Sequence, residues 1–447
     1  MRVALLSCYE LGHQPLGVAR PAARLRAAGH DVRCHDLAVT PWDPKLVRWA
    51  DRLACCVPMH TATRLARQVI DDVRRRRPAL PIACFGLYGE AMADRADRVL
   101  AGETDTALLA WVEGHDDGRV VHLGRTTAGG VPARDLLPPL DRYARLVEGD
   151  RERLVAVVEA SHGCAHRCRH CPVPVVYDGR IRVVAVEAVL ADVAQQVAAG
   201  AQHVTFADPD FFNGIHHARR VVHAVHDAFP DLTFDCTVKV EHILTHRDIW
   251  PDMAAAGCLF VVSAFECVDD ATLARLDKGH TTADEARAVA VLRAQGIEVR
   301  PSWLPFTPWT TLAALRALVD FVADHDLVGN VDPVQYTIRL LLPPGSLLLD
   351  HPDLAPHLGD YDPDQLTYRW RAADPAIDRL HVELAALVED AVGAGAAIPD
   401  VYTRVRDALG LPPVVVDHDR AARVPRLSEP WFCCAEPTAA QLVPLTR

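Results

Sequence analysis

The chain has 447 residues, 50% of them hydrophobic, and a formal net charge of -12 at neutral pH. That length supports two or three cored domains, and the acidic balance excludes a nucleic-acid binder that relies on phosphate neutralisation. The apolar start at residues 1–7 is too short for a signal peptide, and no uncharged run of about 18 residues occurs, so a cytoplasmic protein with no membrane partner is expected.

Residues 1–125 alternate strand and helix signals. Strands are predicted at 2–9, 32–39, 52–58 and 81–85, with helices at 18–28 and 61–76 between them. This α/β pattern predicts a doubly wound, Rossmann-like parallel sheet covered on both faces. A ligand would sit beyond the strand C-termini, at loops 9–17, 59–62 and 86–90. No G-x-G-x-x-G follows the first strand, so a dinucleotide fingerprint is absent. His13, in the first loop, is either a ligand for a metal or cobalt or a plain surface residue. Residues 126–150, with Gly129-Gly130 and Pro138-Pro139, have linker composition.

The alternation restarts over residues 151–345. Strands are predicted at 154–159, 203–207, 232–237, 258–264, 297–303 and 334–341, with helices near 185–199, 214–228, 245–255, 283–295 and 310–326. Thr281-Thr282-Ala283-Asp284 is an N-cap signature, and Gly296 stops that helix. Six such units predict a partial (β/α)6 barrel, whose chemistry belongs at the strand C-termini. Asp208 and Asp210 end the second strand, Lys239 and Glu241 follow the third, and Glu266 ends the fourth, with Lys278-Gly279 a turn later. A helix cap or surface charge is the plain reading of any one of them; their shared direction favours a site. Residues 346–447 are expected to form a mostly helical extension with an extended tail, including a helix from Asp374-Pro375 and another near 399–409.

The loop after the first barrel strand holds Cys164, Cys168 and Cys171 in a C-x3-C-x2-C spacing. The 13 cysteines of the chain are an odd number, which favours thiols and metal ligands over a disulfide framework. Three thiolates in one loop suit an iron–sulfur cluster or zinc. As cluster ligands they leave one iron open; as a zinc knot they would be completed by His162, His166 or His170. Cys55-Cys56 lies inside an apolar strand, where neighbours point to opposite faces, so packing is expected. Near the end, Cys433 and Cys434 are adjacent, with Cα atoms about 3.8 Å apart, too close for an unstrained disulfide. Two thiols held this way suit a redox relay or a chelate for a thiophilic centre.

These residues resemble the radical S-adenosylmethionine (SAM) superfamily. Cys164, Cys168 and Cys171 match its cluster motif, with His170 at the place where an aromatic ring often stands. Glu266 with Lys278-Gly279, the stretch Val334-Gln335-Tyr336, and Pro343-Pro344-Gly345-Ser346 are similar to its later motifs. The first domain is similar to the cobalamin-binding domains that often precede such barrels, with Gly102-Glu103 at the closing turn, although the D-x-H-x-x-G cobalt-ligand motif is absent. Cys433-Cys434-Ala435-Glu436-Pro437 resembles the tail of the CUAEP/CCAEP radical SAM proteins.

The resemblance implies a radical SAM enzyme with a [4Fe-4S] cluster on Cys164, Cys168 and Cys171, SAM on the open iron, and cobalamin as a further candidate cofactor. It implies Asp208 and Asp210 for the methionine amino group, and Lys239, Glu241 and Glu266 for the ribose and carboxylate, with His170 beside them. An electron donor such as flavodoxin or ferredoxin and a small-molecule or soft-element substrate are implied as partners. Cys433 and Cys434 are candidate catalytic residues, and 3-amino-3-carboxypropyl transfer to trivalent arsenic is a candidate reaction. The alternatives are a cobalamin-dependent methyltransferase and a non-catalytic metal-binding scaffold.

Overall fold

A computed structural model describes residues 1–115 and 130–429. The first domain is a parallel five-stranded sheet of β1 (Arg2–Ser7), β2 (Asp31–Asp36), β3 (Arg52–Cys56), β4 (Ile82–Phe85) and β5 (Arg98–Leu100), in the order β2-β1-β3-β4-β5. Strand alternation sends Ala4, Leu6, Cys55 and Cys84 into the core on one face, and Leu5, Ala54, Cys56 and Phe85 into the core on the other. Cys55 and Cys56 are therefore packing residues on opposite faces, as their strand position predicts.

The second sheet runs through β6 (Arg145–Glu148) and β7 (Arg151–Val158). A small antiparallel hairpin, β8 (Ser161–Gly163) with β9 (Ile181–Val183), brackets the cysteine loop. The sheet continues with β10 (His203–Phe206), β11 (Thr233–Thr237), β12 (Cys258–Glu266) and β13 (Glu298–Trp303). After the hairpin β14 (Leu358–Asp362) and β15 (Thr367–Trp370), the chain returns as β16 (Arg426–Leu427). The strand order is β13-β12-β11-β10-β7-β6-β16, an open half-barrel with parallel pairing from β7 to β13 and antiparallel β6 and β16 at one edge.

One face of this sheet packs Val158, Phe206, Cys236, Val261 and Val299 under the helices. The other face lines a cavity with Thr205, then Asp235, Thr237 and Lys239, then Phe260, Val262, Ala264 and Glu266, then Arg300 and Ser302. This two-residue period carries each strand's polar C-terminal end to the cavity mouth.

One expectation is corrected. The predicted strand at 334–341 does not form: Pro333–Tyr336 is a 3-10 turn, and only an isolated bridge joins Phe306 to Arg339. Pro333 has no N–H for a ladder, and the Gln335 side-chain oxygen accepts the Trp303 N–H at 2.8 Å, taking a donor that a sixth strand would need. The extension after 346 also contains the β14–β15 hairpin besides its helices Pro375–Gly393, Ile398–Ala408 and His418–Arg423. Asp374 caps the first of these through the Ala376 N–H, as its sequence predicts.

Within the stretch of linker composition, the described part carries β6 and a buried Arg134. Its guanidinium grips the Asp192 carboxylate at 2.8 and 3.0 Å and reaches back to the Gln14 side chain, pinning the first domain to the barrel. No described helix is long and apolar enough to cross a membrane.

Candidate active site

The cysteine loop is shaped from both sides. Gly163 adopts φ +77°, and a Cβ there would collide with the Arg180 carbonyl and the Tyr177 ring. Upstream, Asp208 accepts the Ala160 N–H at 2.9 Å and the Ser161 hydroxyl, so both its oxygens hold the approach to Cys164. Burial pushes its carboxyl up to about 7 against those hydrogen bonds. Downstream, Asn213 accepts the Ala165 N–H at 3.1 Å and lies 3.8 Å from the Cys164 sulfur. Cys168 is buried, while Cys164 and Cys171 are half-buried.

His170, Glu266 and Lys278 form a buried triad beside these thiols. The Glu266 Oε1 atom lies 3.1 Å from His170 Nε2 and accepts from Lys278 Nζ at 2.9 Å. Burial would raise the Glu266 carboxyl, but the Lys278 and His170 charges outweigh it and hold the group well below the usual carboxylate range. Lys278 is held above its ordinary value because Glu266, with Cys168 and Cys171 nearby, outweighs burial. A register shift in β12 between Ala264 and Glu266, with Glu266 at φ +71°, turns this side chain to the cavity.

The three histidines of the loop are all engaged elsewhere. His162 lies 3.1 Å from Glu103 and 3.2 Å from Glu159, beside Arg20. Burial and the Arg20 cation push it down, yet the two carboxylates outweigh them and raise it to about 9. His166 faces Asp210, and His170 faces Glu266. Among the described residues, only His166, Asp210 and His242 bring three candidate ligand atoms within 4.8 Å of one another. The three thiols are spread wider than that. A single zinc at Zn–S ≈ 2.3 Å would need sulfurs about 3.8 Å apart, whereas a four-iron cluster takes each thiolate on a different iron. The donor set fits the cluster.

The cavity holds about 350 Å³ and is lined by all three cysteines, with Asp208, Asp210, Lys239 and Glu266 at the strand ends. The first domain contributes His13, Met59 and Tyr88 from its strand-end loops, so the predicted ligand side of that sheet faces the barrel. Burial lowers His13 to about 4. Glu241 does not line the cavity; its carboxylate accepts from Lys239 Nζ at 3.2 Å. Cys433 and Cys434 lie outside the described residues, but Leu427 and Glu429 just before them line the same cavity.

Sequence reasoning passed over Ser161, Asn213 and His242. Asn213 follows Asp210 by three residues in a cap-like turn, and His242 sits in the first turn after Lys239; those spacings were the available signal.

Residues 158–309 match the Radical SAM superfamily. The hopanoid C-3 methylase of Methylococcus capsulatus is 23% identical over 327 residues, covering 66% of this chain and 62% of that protein's length. Two solved structures share the fold. The cobalamin-dependent SAM radical enzyme OxsB, with aqua-cobalamin and SAM bound, aligns with a TM-score of 0.69 at 14% identity, over 91% of this chain and 70% of its own. The radical SAM methyltransferase TsrM from Kitasatospora setae, with cobalamin and a [4Fe-4S] cluster bound, aligns with a TM-score of 0.63 at 16% identity, over 91% and 99%.

Proposed function

With residues 158–309 a radical SAM domain, we propose that this enzyme holds its cluster on Cys164, Cys168 and Cys171 and acts on a small molecule in the cavity between the two domains. The observation that carries this reading is the convergence of the three thiols, Lys239 and Glu266 on one cavity at the barrel's C-terminal mouth. When bound, the reduced cluster supplies the electron that cleaves a carbon–sulfur bond of SAM; a flavodoxin- or ferredoxin-type protein is the proposed electron source.

The protein's own groups then have distinct tasks. Lys239 offers an ammonium to the methionine carboxylate, with Glu241 steadying it. Glu266 spends Oε1 on both its partners, leaving Oε2 for the ribose hydroxyls. His170, locked by Glu266, fixes the backbone before Cys171. Asp208 positions the loop through Ala160 and Ser161, so its part toward the amino group of SAM is indirect.

Glu429 accepts a hydrogen bond from Tyr9 at 2.7 Å, and Ser428 pairs with Arg145, so the chain is anchored at the cavity just before Pro430. Cys433 and Cys434 follow this anchored Glu429 by four and five residues. Adjacent thiols would hold a soft, thiophilic substrate there, and trivalent arsenic receiving a 3-amino-3-carboxypropyl group is the candidate.

A second reading, cobalamin-dependent methyl transfer, is favoured by the methylase relative and by the cobalamin in the two aligned structures. Among the described residues, His13 offers the one imidazole in the cavity's first-domain wall. Against it, the Glu429 side chain packs on Gly12 over that loop.

The test is reductive turnover of reconstituted enzyme with mass analysis of the SAM fragments. Methylthioadenosine supports aminocarboxypropyl transfer, and Cys433→Ala and Cys434→Ala should then abolish product while leaving SAM cleavage intact. Product formation unchanged in both variants would remove the tail from the mechanism. Visible cobalamin absorption in the purified protein would favour methyl transfer instead.

A further inference from the structure

Three side chains from three separate elements meet at the edge of the cavity. His166 comes from the cysteine loop, Asp210 from the cap of the 3-10 turn Phe211–Gly214 after β10, and His242 from the helix Val240–Thr245 after β11. Asp210 Oδ1 accepts the Phe212 N–H at 3.0 Å, which fixes the carboxylate. Its Oδ2 lies 2.8 Å from His242 Nδ1 and 3.4 Å from His166 Nε2, and the two rings are 4.6 Å apart. Asp210 is 2% exposed.

These contacts are ion pairs with poor hydrogen-bond direction. His166 Nε2, Asp210 Oδ2 and His242 Nδ1 are all buried, and none makes a hydrogen bond. At 2.8 Å only direction can exclude one: the carboxylate oxygen lies off the line of the imidazole N–H. Ligands of one ion have this relation, since their lone pairs aim at a common point and not at each other. Metal–nitrogen and metal–oxygen bonds of about 2.0–2.2 Å in a tetrahedral set put the donors about 3.3 Å apart, and the two observed distances bracket that value.

We propose that His166, Asp210 and His242 form a mononuclear site for a borderline divalent cation of the zinc class. Two imidazoles and one carboxylate suit such an ion, and the absence of sulfur among the three separates it from the cluster ligands. Three protein ligands leave a fourth position open. His166 and Asp210 line the cavity, so that position faces the reaction space and takes an oxygen or sulfur donor of the substrate. The ion would also tie the cluster loop to two strand ends of the barrel. One group opposes it: the Lys239 ammonium stands 3.2 Å from His166 Nδ1, although Glu241 at 3.2 Å offers it another partner. The site rests on these three side chains and stands whether or not the proposed reaction does.

The experiment is anaerobic equilibration of the iron-loaded protein with Zn²⁺, followed by metal analysis and X-ray absorption at the zinc edge. The expected result is one zinc per chain beyond the cluster iron, in a nitrogen and oxygen shell. His242→Ala and Asp210→Asn should each weaken binding about 100-fold or more, with iron and sulfide content unchanged, because each removes a direct ligand where even outer partners are worth about 10–100-fold. Lys239→Met should tighten it. Failure of the wild-type protein to take up stoichiometric zinc would overturn the proposal, as would a sulfur-dominated shell or binding that His242→Ala leaves unaltered. The wild-type spectrum decides this even if a variant misfolds.

Discussion

Cys168→Ala should reduce both cluster retention and SAM cleavage to background. Cys168 is the most buried of the three thiols. Two remaining thiolates leave two irons without protein ligands, so the cluster is lost, not merely altered. The substitution removes one sulfur atom from a loop already fixed by Asp208 and Asn213, so the fold itself should persist. Iron and sulfide analysis with a circular dichroism melt checks both halves. Substantial SAM cleavage by the variant would remove Cys168 from the ligand set.

Lys278→Met should produce the largest loss of stability. Lys278 and Glu266 are both buried and 2.9 Å apart, and removing the ammonium leaves the carboxylate with His170 as its remaining partner. Breaking a buried pair from one side costs about 3–5 kcal/mol, whereas replacing both partners by uncharged groups is often close to neutral. The barrel's melting transition should fall by roughly 10 °C, and the double variant Glu266→Gln/Lys278→Met should recover part of it. A double variant less stable than Lys278→Met alone would show that the triad does not act as a charge pair.

Much of this arrangement was legible in the sequence, for definite reasons. Strand alternation and helix caps are local, so the parallel sheets, the Thr281 cap and the Gly296 stop could be placed from neighbouring residues. The three cysteines could be recognised because ligand spacing within one loop is also local. What escaped depended on distant partners. The strand at 334–341 fails because the Gln335 side chain takes a backbone donor from Trp303, a contact across 32 residues. Asp208 and Asp210 look alike in sequence, yet one spends both oxygens on the loop before Cys164 and the other faces two histidines. The pairing of β16 with β6, which brings Glu429 to the cavity, joins residues far apart in the chain and left no periodic signal.

The most direct measurement is Mössbauer spectroscopy of the anaerobically reconstituted protein, before and after SAM is added. Three cysteine ligands predict a four-iron cluster in which one iron changes its parameters when SAM binds and the other three do not. Stoichiometric zinc without sulfide, or a cluster whose irons all ignore SAM, would contradict an open coordination position at Cys164, Cys168 and Cys171.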